Sequence, residues 1–324
     1  MQYNPGTIRY CCVFNRISCL TLFAILAVMP LRAQYDASFS HYWAMQPSFN
    51  PAAVGKDTKL NVVGAYSLDF AGYEHNPNTF YVSADIPLYS IKHYHGAGLS
   101  IQNDKIGLST HQRISAQYAF RYNLFGGTIS AGIQLGMLLE NFDGTKLDLG
   151  DSGDRAFPTT NVNGNALDIG LGAYYSGREW YAGASVQHIN VPTVELGEKN
   201  ELEVKSTYYL TGGYNIKFNS PFVSIPTSIL AKYDGNGYRT DLTFRVVYTN
   251  ENRILYAGLG YSPTNSVTAY LGGRFHGINI GYSYEMYTRN VGIGNGSHGL
   301  LIIYQTDINL QKKGRNLHKS VRFL

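Results

Sequence analysis

Residues 114–122 read ISAQYAFRY. Ile114, Ala116, Tyr118, Phe120 and Tyr122 form one set, and Ser115, Gln117, Ala119 and Arg121 the other. A period of two places successive side chains on opposite faces of a strand, so this stretch has one apolar and one polar face. The pattern recurs downstream. Ile129, Ala131, Ile133, Leu135, Met137 and Leu139 alternate with Ser130, Gly132, Gln134, Gly136 and Glu140. Ile278, Ile280, Tyr282, Tyr284 and Met286 oppose Asn279, Gly281, Ser283 and Glu285.

Working outward, about fourteen such segments can be placed, each of roughly ten residues, the length of a tilted transmembrane strand. They begin near Leu60, Phe80, Ala97, Arg113, Thr128, Ala166, Trp180, Thr207, Val223, Tyr238, Leu255, Val267, Ile278 and Leu300. The connections alternate in length. Residues 124–127, 176–179, 250–253 and 276–277 are short, whereas 142–164, 190–205 and 288–298 are long. Short turns on one side and longer loops on the other, with an even strand count, predict a transmembrane antiparallel outer-membrane β-barrel with both ends in the periplasm. A soluble β-sandwich shares the alternation but has no reason for this loop asymmetry. Closure follows from hydrocarbon as solvent, where each unpaired backbone group costs several kcal/mol.

Composition agrees. Charged residues are only 15%, and the chain holds 27 tyrosines and 35 glycines, which suits an all-β protein and excludes a disordered one. Tyr174, Tyr175, Tyr181, Tyr208 and Tyr209 cluster near strand ends, where aromatic girdles form. Residues 1–33 read as a cleaved signal peptide: Arg9 and Arg16 precede the apolar LTLFAILAV, and LRAQ supplies a cleavage site after Ala33. Cys11, Cys12 and Cys19 lie in that segment, so the exported chain is expected to hold no disulfide or cysteine-ligated metal. Arg9, Arg16 and Arg32 leave with it, which takes Lys+Arg from 26 to 23 against 22 Asp+Glu, a balance near +1 that gives no reason to expect nucleic acid as a partner.

Eleven charged side chains fall on the predicted inward faces: Asp85, Arg113, Arg121, Glu140, Asp168, Lys232, Arg239, Asp241, Arg245, Arg274 and Glu285. Their mixed signs suit a network of ion pairs filling a lumen more than one-sided ion selectivity. Ser83, Asp85 and His188 assemble a hydrolase triad only on paper, for no G-x-S-x-G elbow supports it. His41, His93, His95 and His111 lack metal spacing, and Asp143, Asp148, Asp151 and Asp154 lack the order of a calcium loop. Gly170 with Gly172, and Gly258 with Gly260, sit mid-strand and make room rather than cradle phosphate. No catalytic, cofactor or metal site is expected.

Residues 34–58 break the rhythm. SHYWAMQPSFNPAAVG, at 40–55, alternates too poorly for a strand, and two prolines exclude a helix, yet Tyr42, Trp43, Met45 and Phe49 need burial. Such a segment belongs either inside the lumen as a plug or against the periplasmic rim. The barrel proper is expected over 59–308, followed by a basic periplasmic tail at 309–324 carrying Lys312, Lys313, Arg315, Lys319 and Arg322.

The same segment carries a resemblance. Asp36, Phe39, Ser40 and Tyr42, followed by Asn50, Pro51, Ala52 and Gly55, resemble the start of mature PorP/SprF-type outer-membrane proteins of the type IX secretion system. Gly296, Ser297 and His298, a turn into the last strand, add a second match. The resemblance implies a non-enzymatic barrel in the outer membrane of Bacteroidetes, without cofactors. It further implies a role in secretion and gliding motility, with membrane lipid, secreted adhesins or other cargo, and periplasmic secretion machinery as partners. A passive or ligand-selective porin is the alternative that the strand pattern alone allows.

Overall fold

The computed structural model describes residues 35–90, 92–146, 160–197, 200–251, 253–263, 265–288 and 296–308. The signal segment, the basic tail, and Asp148, Asp151 and Asp154 lie outside these residues. Among the described residues sixteen strands follow one another: β1 (Lys59–Leu68), β2 (Asn78–Ser90), β3 (His93–Ile106), β4 (Ser109–Leu124), β5 (Gly127–Asp143), β6 (Asn161–Ser176), β7 (Trp180–Gln187), β8 (Thr193–Leu196), β9 (Asn200–Glu203), β10 (Thr207–Lys217), β11 (Val223–Tyr233), β12 (Tyr238–Asn250), β13 (Arg253–Ser262), β14 (Ser266–Phe275), β15 (Ile278–Tyr287) and β16 (Ser297–Asp307).

Fourteen of them close into one antiparallel barrel, sealed where β1 pairs with β16 from Lys59↔Asp307 to Leu68↔His298. The remaining two, β8 and β9, form a small hairpin inside the 190–205 connection. The sequence pattern missed it because four-residue strands are too short to show a period. Among the described residues no helix is long and apolar enough to cross a membrane.

The alternation read from ISAQYAFRY holds in space. Ile114, Tyr118 and Tyr122 are exposed on the outside, whereas Ser115, Gln117 and Ala119 are buried inside. Leucines stand open around the wall, Leu99 at 66%, Leu210 at 63% and Leu259 at 63% exposure, a continuous apolar band that only lipid can cover. The wall is uneven. β4, β5 and β6 run 16, 17 and 16 residues, against 8 for β7. Their extra height carries an outward amide face, with Gln112 donating to Asn103 and Asn141 to Asn161, chemistry that belongs beyond the hydrocarbon.

Three of the tyrosines expected in the girdles are not there. Tyr174, Tyr181 and Tyr209 face inward, while their neighbours Tyr175 and Tyr208 face out. Adjacent residues of a strand cannot share a face, so only one tyrosine of each consecutive pair can reach the lipid boundary.

Candidate functional site: the occupied lumen

The lumen is filled by residues 35–57. Pro47 and Pro51 each open a one-turn 3₁₀ element, at Gln46–Ser48 and Pro51–Ala53, after a first at Tyr42–Ala44. Proline fixes φ and lacks an N–H, so it starts a turn readily and stops a helix from growing. The Asn50 side chain caps the third turn by accepting from the Ala52 N–H at 2.9 Å, and its amide donates to the Ala173 carbonyl at 3.1 Å. Gly55 ends the segment at φ +63°, against the Gly96 backbone of β3.

The segment runs from the long-loop rim, where Tyr35 and Asp36 meet the ends of β4, β5 and β7, down to the short-turn rim, where Gly55 meets β2 and β3. Apolar side chains anchor it. Met45 packs with Val63, Ala65, Tyr81 and Leu301, and Phe49 stacks on Tyr209 at 5.5 Å between ring centroids. Ala52 and Ala53 pack on Tyr174. The wall makes room with glycines. A Cβ on Gly132 would lie 2.3 Å from Ala52 N, and one on Gly96 only 2.0 Å from the Val54 carbonyl oxygen.

An irregular buried backbone leaves carbonyls that must be satisfied, and the wall supplies donors. Gln117 donates to the Pro47 carbonyl at 2.7 Å, and Ser185 and Gln187 both donate to that of Phe49, at 2.7 and 2.9 Å. Gln117, Gln134 and Gln187 are themselves linked across β4, β5 and β7. Arg113 reaches the Ser48 carbonyl at 3.1 Å, and Arg121 that of Gly55. Asp85 accepts from the Gly55 N–H at 2.9 Å and from Asn61. Tyr42 donates to the Ser228 carbonyl at 2.9 Å, and Tyr270 to that of Ser40 at 3.0 Å.

Asp36 is the electrostatic centre. Its carboxylate meets His188 Nε2 at 3.1 Å, accepts from the Tyr209 hydroxyl at 2.8 Å and lies 3.6 Å from Arg113, while Lys232 donates to its backbone carbonyl at 2.5 Å. Burial opposes the charge, but His188, Lys232 and Arg113 outweigh it and hold the Asp36 carboxyl well below the usual carboxylate range. His188, just beyond the end of β7, is also bonded through Nδ1 to Asp168 at 2.8 Å. Its burial disfavours charge, yet Asp36 and Asp168 raise it to about 9. His41 has no acid beside it, and burial together with Arg245 pushes it down to about 3.

The remaining inward charges are placed as follows. Glu140 accepts from Tyr35 and pairs with His111. Arg239 bonds Asp241 at 2.9 Å and Glu285 at 3.0 Å, and Glu285 also accepts from Ser40 at 3.0 Å. The Arg245 guanidinium lies 3.4 Å over the Trp43 ring. Arg274 bonds Asn279 and Gln305 of the wall rather than the segment. Of the motif residues, Phe39 tilts against Tyr81, and Ser40, Tyr42, Asn50, Pro51, Ala52 and Gly55 all sit against the wall. Ser297 accepts from the Phe70 N–H and bonds Tyr287, which ties two long-rim loops to each other, and His298 bonds Tyr282 outside.

The triad drawn from sequence does not assemble. His188 spends both ring nitrogens on Asp168 and Asp36, and Asp85 is bonded to Gly55 and Asn61. His93 and His95 pack against Phe120 on the outer face, and among the described residues no group of three or more His, Cys, Asp or Glu could hold a metal ion. Sequence reasoning missed the glutamines and Tyr209 as contacts of the segment. The signal was there in their inward register, but a neutral polar residue facing a lumen reads equally well as facing water.

A closed antiparallel barrel of fourteen strands, apolar outside and polar within, defines an outer-membrane β-barrel protein. Residues 31–304 match the family described as Type IX secretion system membrane protein PorP/SprF, and the chain belongs to that family. The fold is similar to that of the CymD monoaromatic hydrocarbon channel, with a TM-score of 0.51 and 11% identity over 87% of this chain and 96% of that one. A Pseudomonas aeruginosa FadL homologue matches at 0.46 and 12% identity, over 80% and 93%. The translocator domain of the autotransporter NalP from Neisseria meningitidis matches at 0.43 and 11% identity, over 78% and 89%. These are likenesses of fold alone. Comparison with curated proteins returns no match.

Proposed function

We propose that this barrel is a non-enzymatic component of the type IX secretion and gliding machinery that assists the secretion or surface anchoring of exported adhesin-like proteins. Family membership supports the machinery, and the occupied lumen supports a scaffold rather than a passage. In this reading residues 1–33 are removed as a signal peptide, and residues 34–58 act as a plug. The short-turn rim faces the periplasm, where the tail at 309–324 docks machinery. The long loops, including the β8–β9 hairpin, face outward and hold cargo.

The single observation that carries the reading is the family match together with a lumen closed by the chain's own motif segment. The test is a crosslinked pull-down from outer membranes, paired with adhesin display after deletion of the gene. Recovery of a large surface protein or of periplasmic machinery, with display lost on deletion, is the expected result. Recovery of the barrel alone, with display unchanged, overturns it. The second reading is a passive or ligand-selective porin, for which the glycine-rich inner wall is the favouring feature. Gly96, Gly132 and Gly172 instead face Val54, Ala52 and Asn50, which weighs against an open pore.

A further inference from the structure

At the short-turn rim a cavity of about 250 Å³ opens between the inner segment and the wall. Four buried polar atoms of its lining have no hydrogen-bond partner: Trp43 Nε1, the Tyr181 hydroxyl, Asn215 Oδ1 and Arg245 Nε. Leaving a buried polar group without a partner is costly, more so when it is charged, so their convergence on one cavity points to a ligand rather than to chance.

Arg245 is the key group. Arg113 and Arg239 each meet a carboxylate, but among the described residues Arg245 forms no ion pair. Trp43 covers one face of the guanidinium, with Cζ 3.4 Å from the ring centroid. Stacking leaves the edge of the fork free, and that edge matches two oxygens of an anion. The charged residues of the lining are Lys56, Arg178 and Arg245 against Asp57 and Glu179, a surplus of one positive charge. Lys56 already donates to Gln46 at 2.8 Å, and Glu179 is paired with Lys217 at 3.7 Å. Arg245 is the cation of the lining whose buried donor is left without a partner, and one guanidinium fork suits the two oxygens of a monoanion, which favours a carboxylate over a phosphate.

We propose that this cavity binds a polypeptide carboxylate. Arg245 forks its two oxygens, the Trp43 N–H and the Tyr181 hydroxyl supply further donors, and Asn215 Oδ1 accepts an amide N–H of the same peptide. The aromatic walls suit the apolar part of such a ligand. The carboxylate is that of a chain terminus or of an acidic side chain. The site does not depend on which rim faces the periplasm.

Both tryptophans of the chain, Trp43 and Trp180, line the cavity, so intrinsic fluorescence of the full chain in detergent reports its occupancy. Four probes are titrated: an acetylated tripeptide with a free carboxyl terminus, its carboxamide, an amidated tripeptide with a central glutamate, and inorganic phosphate. A saturable change with either carboxylate peptide but not the neutral carboxamide is expected, and the two peptides distinguish terminus from side chain. Arg245→Gln is expected to weaken that binding by at least about tenfold, while Arg245→Lys, which keeps the charge but loses the fork, retains part of it. Tyr181→Phe removes only a hydroxyl, keeps the packing, and is expected to weaken binding a few-fold, which carries the test if Arg245→Gln does not fold. Equal response to carboxylate and carboxamide, no response to any peptide, unchanged affinity in the variants, or a preference for phosphate overturns the proposal.

Discussion

The Asp36 carboxylate and His188 Nε2 lie 3.1 Å apart inside the barrel, joining residues 152 positions apart in the chain. The contact ties the inner segment to the wall near the long-loop rim. His188, Arg113 and Lys232 converge on this residue, so removing its charge leaves buried cations unbalanced. Breaking one side of a buried ion pair costs on the order of 3–5 kcal/mol. Asp36→Asn, which keeps the shape, is expected to lower thermal stability in detergent by an amount in that range and to speed proteolysis of the segment. Unchanged melting and cleavage would show that apolar packing alone holds it.

The same groups predict a dependence on pH. His41 sits near 3 in the fold against 6.5 when free, so the unfolded chain binds the extra proton and stability rises with pH between those values. Asp36, depressed below 3.8, acts in the same direction at lower pH, its contribution being present above that value and lost as pH falls through its folded one. His188 is raised from 6.5 to about 9, so its contribution is complete below 6.5 and is lost as pH rises through 9. Asp69, which burial raises from 3.8 to about 6, opposes His41 as pH rises between those values, so the acid limb is expected to be shallower than the alkaline one, with stability peaking near pH 6.5. His41→Gln is expected to flatten the acid side only. Melting temperatures measured across pH 4–10 check both statements, and a monotonic curve contradicts them.

Asn50 has a separate role. It is fully buried, caps the Pro51–Ala53 turn and donates to the wall at Ala173. Asn50→Ala removes both bonds and leaves a buried N–H and a buried carbonyl without partners, a loss of about 2–4 kcal/mol. Asn50→Ser keeps a capping oxygen but cannot reach Ala173, and is expected to be intermediate. The ordering of the two variants in thermal unfolding is the measurement. Equal losses would show that the cap contributes nothing.

How much of this was legible in the sequence depends on what each residue was asked to reveal. Ile114 to Tyr122 disclosed their faces because a period of two is local, and every one of the fourteen predicted segments overlaps a barrel strand. Leu60, Phe80 and Trp180 mark strand starts to within two residues, whereas Ala166 was placed five residues into β6. There the Asn161, Asn163 and Asn165 register reads as loop, because polar residues that face out beyond the bilayer carry no apolar signal. The inner segment announced itself through Trp43 and Phe49, apolar residues with no regular pattern. Its contacts did not, since Gln117, Gln187 and Tyr209 meet it only through a barrel closed by strands far apart in sequence.

The glycines of the wall give the sharpest separation of scaffold from pore. A Cβ at Gly132 would lie 2.3 Å from Ala52 N and 2.5 Å from the Pro51 carbonyl carbon, which are backbone atoms that no rotamer change can move. At Gly136, on the same strand and face, the nearest approach is 3.3 Å, which small shifts absorb. Gly132→Ala is therefore expected to push the segment off the wall while the barrel stays closed, because the ladder uses only backbone groups. Protease sensitivity at 35–57 and conductance in planar bilayers are both expected to rise above the wild-type level, and Gly136→Ala is expected to leave both unchanged. Wild-type conductance already equal to that of Gly132→Ala would mean that the segment does not close the lumen. In that case the porin reading displaces the scaffold.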